Sequence, residues 1–302
     1  MLSYTWDDNR DNKDLRTNLF RGLSQVLLAL ARVPVPRIGS FTINENGFLV
    51  LNNRPLSLEL HQLESEQIPV DISRNMTYSS VDSYVTDTLA FHDSRLHYQP
   101  NAVNDIFDGA YQAPALTVMK ATASHFFSRD LRHGPFVYVL NDIHQSNILV
   151  DENWNITCLI DLEWACARPI EMLHPPHWLT SQSVDTIDLD LFTPLHQEFV
   201  DILEGQESDD EDMSISALMK RGWHNKAFWF SLALMSPTGI FALFHDHIRP
   251  RFTDHENEKG YFQAVLKHYW TPGMEAFLTR KVEEKIAYDK KLRAEFDVEV
   301  TG

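Results

Sequence analysis

Between Phe136 and Ile160 the sequence changes character. Phe-Val-Tyr-Val-Leu, Ile-Leu-Val and Ile-Thr-Cys-Leu-Ile are short runs rich in β-branched and aromatic residues, divided by polar segments. Such runs read as buried strands, because branched and aromatic side chains suit a pleated, packed surface. Asp151-Glu152-Asn153-Trp154-Asn155 reads as a polar turn between the second and third runs. The resulting order is strand, polar loop, strand, turn, strand, acidic loop.

The first loop holds Asp142 and Asn147 in a D-x-x-x-x-N spacing, and Asp161 follows the third strand. Phosphoryl transfer needs an acidic residue to orient the attacking hydroxyl, and oxygen ligands to hold Mg²⁺ against the phosphates, because positioned charge supplies most of the catalysis. Asp142 and Asn147 have the spacing of kinase catalytic loops, and Asp161 stands where a second Mg²⁺ ligand would sit. Two polar residues at a fixed spacing recur by chance in many loops. The surrounding order of loops and strands carries the reading.

The whole run NDIHQSNILVDENWNITCLIDLEW resembles the aminoglycoside phosphotransferase family, whose pattern reads roughly H-G-D-x-H-x-x-N, three aliphatic residues and Asp, then I-D-[WFL]-E. It is most similar to fungal members, where D-x-H-Q-S-N and I-D-x-E-W-A are usual. The resemblance implies Asp142 as catalytic base and His144 as the family's next histidine. It implies Asn147 and Asp161 as ligands of the metal and nucleotide cofactor, with Glu163 as the acidic residue after them. It further implies a mainly α fold with a small β element, the C-terminal lobe of a protein-kinase-like phosphotransferase. ATP and Mg²⁺ are the implied cofactors, and a hydroxyl of a small molecule is the implied acceptor. Leu140 departs from the pattern: the family has His two residues before the Asp, as a support for loop geometry, so the loop here is expected to be less braced.

Family members also carry an N-terminal lobe with a glycine-containing loop over the nucleotide and a strand Lys on its phosphates. No two glycines before Asp142 fall close enough for such a loop, and Met1–Trp6 is similar to the family's passage out of the hinge between lobes. The expectation is a truncated chain: one lobe over residues 1–302, with a catalytic and metal-loop core at 136–165 and a helical extension at 190–302. Lacking the main ATP grip, it should turn over poorly alone. The reading from a different class is a non-catalytic kinase-like binding or scaffold protein.

Elsewhere, Leu15, Leu19, Leu23, Val26, Leu27 and Leu30 recur at helical spacing before Val33-Pro34-Val35-Pro36, which predicts an amphipathic helix over 14–31. Ser40–Ile43 and Phe48–Leu51 flank Asn-Gly, a hairpin signal. Residues 52–80 read as a surface excursion with little regular structure. Helices are predicted near Val81–Leu96 and Pro114–Leu131, and again beyond Trp164, with an acidic solvated loop from Glu204 to Asp212.

A net charge of −17 disfavours nucleic acid and anionic membrane surfaces and favours cationic guests. Asp185, Asp188 and Asp190 either bind a cationic substrate or open a helix, since Asp is favoured at N-caps and in first turns. Cys158 and Cys166 belong to no zinc-like set. With no apolar run of about 20 residues to cross a bilayer and no signal-like start, a reducing cytoplasmic setting is expected. The histidines of His174–His177 and His245–His247 suit metal poorly, and Trp223, Phe228, Trp229, Phe230, Phe241 and Phe244 read as core.

Overall fold

A computed structural model describes residues 1–208, 213–253 and 259–296. The chain opens with α1 (Trp6–Asn9) and α2 (Lys13–Ala31). The Asn12 side chain accepts from the backbone N–H groups of Asp14 and Leu15, which supplies acceptors for donors the first turn leaves unpaired. The apolar stripe of α2 buries Leu19, Phe20, Leu23 and Leu28, and Phe20 meets Phe199 edge-on at 5.2 Å. β1 (Ser40–Ile43) and β2 (Leu49–Asn53) form the expected hairpin. Asn44 Oδ1 accepts from Asn46 N and Phe48 N, and Gly47 supplies the positive φ of +80° that this turn requires.

Residues 52–80 are more ordered than their sequence suggests. The Ser57 hydroxyl accepts from Leu60 N and caps α3 (Leu58–Ser65), which buries Leu60 and Leu63. Ile68, Val70, Ile72 and Tyr78 then continue into the core. Scattered Pro, Asn and Ser conceal this, because a two-turn helix shows too few apolar positions for a period to emerge.

α4 (Val81–Tyr98) follows as expected, capped by Ser80. The next helix is displaced from its predicted position. α5 spans Ile106–Thr122, since Asp105 accepts from Asp108 N and starts the helix early, and Pro114 lies inside it. Burial of Gly109, Gln112, Ala113, Pro114, Ala115, Leu116 and Met119 compensates for the missing proline N–H. Residues 123–125 and 129–131 are single 3₁₀ turns rather than its continuation.

β3 (Phe136–Val139), β4 (Ile148–Val150) and β5 (Ile156–Leu159) are the three expected strands. A fourth was missed: β6 (Cys166–Pro169), in a stretch read as helical, pairs antiparallel with β3 so that Val137 faces Arg168 and Val139 faces Cys166. Cys-Ala-Arg-Pro has no strand signature of its own, and its state is set by a partner some thirty residues earlier. Helices resume only at α6 (Leu189–Glu204), followed by α7 (Ile215–His224), α8 (Ala227–Leu234), α9 (Ile240–Leu243), α10 (Lys259–Trp270) and α11 (Met274–Glu295). Residues 209–212 of the acidic interruption lie outside the described residues. The structure is thus mostly helical with small antiparallel sheets, compatible with a kinase-like phosphotransferase.

One hydrophobic cluster runs from Leu2 to Leu278. Phe228, Trp229, Phe230, Phe241 and Phe244 are buried in it, with Trp223 packed against it, as their helical spacing suggests. Among the described residues no helix is long and apolar enough to cross a membrane. Cys158 and Cys166 are both free thiols.

Candidate active site

The β4–β5 hairpin builds the centre of the site. Its ladder pairs Ile148 with Leu159 and extends one step further, where Ile160 N donates to Asn147 O at 3.0 Å. Asn147, which precedes one strand, and Asp161, which follows the other, therefore emerge at the same end of the hairpin. Asp161 has a left-handed backbone, φ +54°. Non-glycine residues hold that conformation at a cost, and such positions gather at functional sites. Its exposed carboxylate makes no hydrogen bond or ion pair among the described residues.

Asp142 sits on the loop between β3 and β4 with its side chain exposed. The buried Asn147 amide donates from Nδ2 to the Asp142 backbone carbonyl at 2.9 Å and lies 3.5 Å from its Oδ2. That use of Nδ2 leaves Oδ1 as the oxygen the side chain has to offer a cation. His144 is exposed, with Nδ1 3.2 Å from the Ser146 hydroxyl. Glu163 lies exposed in the turn after Asp161.

Other residues brace the loop where the family's histidine is replaced by Leu140. Asn141 Nδ2 donates to Trp164 O at 2.6 Å and approaches Cys166 Sγ at 3.1 Å. The buried Trp178 indole donates from Nε1 to Ile143 O at 2.7 Å. Asn147 N closes on His144 O at 2.8 Å. Sequence reading missed both Asn141 and Trp178. Asn141 adjoins the motif and was open to suspicion, whereas Trp178, in a Pro-Pro segment 35 residues from its partner, carries no local signal.

Asp142 opens on a cleft of about 340 Å³. Its walls include Val139, Leu140, Leu173, Phe228, Leu232 and Met235, and its ionisable groups are Asp142, Glu59, Arg168, His174 and His177. Burial pushes His174 down to about 3 and His177 down to about 4, the latter with help from repulsion by His144. Both rings are neutral at pH 7. Asp185, Asp188, Asp190 and Glu163 are not brought to this cleft. Asp188 caps α6 by accepting from Asp190 N, Asp190 lies in its first turn, and Asp185 accepts from the Ser183 hydroxyl at 2.6 Å.

Among the described residues no group of three or more His, Cys, Asp or Glu side chains is placed to hold a metal. The Asn147 and Asp161 side chains, at one end of the hairpin, would offer a cation two hard oxygen ligands. Such a pair fits Mg²⁺, which completes its shell with water and phosphate oxygens, and fits zinc badly.

No curated protein and no solved structure was found to match the chain. The profile of the phosphotransferase enzyme family matches residues 4–172. That span is more than half of the chain's 302 residues and contains the catalytic-loop candidate, the β4–β5 hairpin and the acidic loop beyond it. The sequence resemblance, the loop pair at one hairpin end and this match converge: the chain belongs to the phosphotransferase enzyme family.

Proposed function

We propose that this chain carries the base and metal loops of an ATP-dependent phosphotransferase that acts on a hydroxyl of a small molecule. The observation that carries the reading is the arrival of Asn147 and Asp161 at one end of the β4–β5 hairpin, with the Asn147 amide fastened to Asp142.

When bound, Mg²⁺–ATP supplies the transferable phosphoryl group and an electrophilic environment for it. Asn147 Oδ1 and Asp161 are the residues that would hold the metal, and they are hard oxygen donors suited to it. Asp142 accepts a hydrogen bond from the substrate hydroxyl and aims its lone pair, and would take its proton when the hydroxyl oxygen displaces ADP from the transferred phosphoryl group. The cleft beside it holds the body of the acceptor. Asn147 acts twice, because the hydrogen bond that orients its amide also fixes the backbone of Asp142.

We read residues 1–141 as offering no counterpart to the family's grip on nucleotide phosphates, a glycine-containing loop and a strand lysine. Efficient turnover is proposed to require such an element. A reducing, cytoplasmic setting is part of the proposal and accords with two free cysteines.

The test compares the chain with a fusion to the N-terminal lobe of another family member, using ATP and a panel of hydroxylated small molecules. Phosphorylated product is expected from the fusion, and Asp142→Asn should lower its turnover by roughly 100-fold or more while leaving the fold intact. A fusion that binds ATP without any turnover, or turnover indifferent to Asp142→Asn, would replace this reading with a non-catalytic binding or scaffold role.

A further inference from the structure

Arg168 is a buried cation in the wall of the cleft. It lies on β6, opposite Val137 of the strand that leads to Asp142, and is only 5% exposed. It lines both the 340 Å³ cleft and a smaller pocket of about 30 Å³. Its Nε has no hydrogen-bond partner, and the guanidinium makes no ion pair among the described residues.

Of the other buried arginines, Arg54 and Arg95 have oxygen partners, while Arg249, whose Nε is likewise unpartnered, lies over the Phe262 ring away from the cleft. Arg54 reaches Glu64 at 2.6 Å and Ile72 O at 2.6 Å, and Arg95 meets the side-chain oxygens of Gln99 and Gln112. Arg168 has the Cys166 thiol and the Tyr84 hydroxyl as polar neighbours. Glu59, also in the cleft wall, acts on it through space without closing to ion-pair distance, and its Oε2 accepts from the Ser57 hydroxyl at 2.5 Å. A buried guanidinium keeps its charge, and leaving that charge without a bidentate oxygen partner is costly.

We infer that Arg168 is a substrate-binding residue, and that the acceptor is an amphipathic hydroxy acid whose carboxylate pairs with its guanidinium while the hydroxyl faces Asp142. The inference rests on the reading of this cleft as the acceptor site. Two residues of strand, roughly 7 Å, separate the level of Arg168 from Val139, and the loop to Asp142 begins beyond it. The two polar ends are therefore set apart, and the lining of the same cleft offers Val139, Leu173, Phe228, Leu232 and Met235 to an apolar chain. His174 and His177 are neutral there and do not compete for the carboxylate.

The experiment measures binding by calorimetry without nucleotide, using three straight-chain probes: ω-hydroxyoctanoate, its primary amide and the matching ω-amino alcohol. In the wild-type chain the acid should bind at least roughly tenfold more tightly than the amide, the scale of one charge-assisted pair. Arg168→Gln should abolish that preference while leaving amide affinity unchanged. Arg168→Lys should keep part of it, and Asp142→Asn should keep all of it. Equal affinities for acid and amide in the wild type would overturn the inference even where Arg168→Gln does not fold. So would tightest binding of the amino alcohol, which would mark the cleft as cation-selective. Because no nucleotide is present, failure of phosphoryl transfer leaves this result standing, and loss of the acid preference leaves the turnover test standing.

Discussion

Asn147 and Asp142 are joined side chain to backbone: the amide nitrogen of the first donates to the carbonyl oxygen of the second at 2.9 Å. The bond is buried on the Asn147 side, so its loss leaves a carbonyl without its donor and empties space beneath the loop. Asn147→Ala should destabilise the fold by about 1–3 kcal/mol, read as a shift in urea midpoint. The same variant should lose any response to Mn²⁺. An unchanged midpoint would mean that the loop does not depend on this amide.

Asp161 separates metal binding from stability in another way. At φ +54° an alanine is strained by roughly 1 kcal/mol, whereas glycine is free of the strain but gives up about 0.5–1 kcal/mol of unfolded-chain entropy. Asp161→Gly should therefore be near neutral in urea unfolding and Asp161→Ala the less stable of the two. Both should abolish a weak, millimolar Mn²⁺ response seen in the wild type. Persistence of that response in either variant removes Asp161 from the metal site.

These two residues also show how much the sequence disclosed. The spacing of Asp142, Asn147 and Asp161 was legible because Asn147 and Asp161 flank one hairpin and Asp142 lies five residues before Asn147, where chain order nearly fixes spatial order. β6 and the brace from Trp178 were not legible, since Cys166–Pro169 becomes a strand only by meeting Phe136–Val139 and the Trp178 bond spans 35 residues. Arg168 was hidden for the same reason: nothing in Cys-Ala-Arg-Pro announces that its arginine will be buried beside a cleft. For the acidic trio the sequence left a cation site and a helix start open, and Asp188 and Asp190 open α6 while Asp185 accepts from Ser183.

Acid should weaken the fold well before the carboxylates titrate. Burial holds His92 and His174 down to about 3, and His177, His196 and His247 down to about 4. In the unfolded chain each takes up a proton near pH 6.5. Between those limits the unfolded state binds more protons, so stability is complete above about pH 6.5 and is lost as pH falls toward 4, by at most about 1.4 kcal/mol per pH unit for each ring. Glu171, raised by burial, works in the opposite direction but is one group against six, since burial lowers His97 as well. Urea midpoints should fall steadily from pH 7 to pH 5. A flat profile would show that these rings are not buried in neutral form.

The last prediction concerns the loop that must hold Asp142 still. The proposed base can position a hydroxyl only as well as its own backbone is fixed, and here the fixing passes through Trp178 Nε1 to Ile143 O and through Asn141 Nδ2 to Trp164 O. Trp178→Phe removes the first donor but leaves an aromatic ring to pack, including much of the edge-on contact with Trp6 at 5.3 Å. A lost buried hydrogen bond of about 1 kcal/mol corresponds to roughly fivefold in an opening equilibrium. Amide hydrogen exchange over residues 141–147 should accelerate by about that factor, with exchange in α4 and α5 unchanged. In a fusion competent for turnover, kcat should fall while KM stays the same, because the cleft wall is intact and only the reacting geometry has loosened. Asn141→Leu should give the same acceleration of exchange through the other tie. Exchange that speeds up evenly across the whole chain would instead assign Trp178 to general packing, and a rise in KM alone would place it in substrate binding.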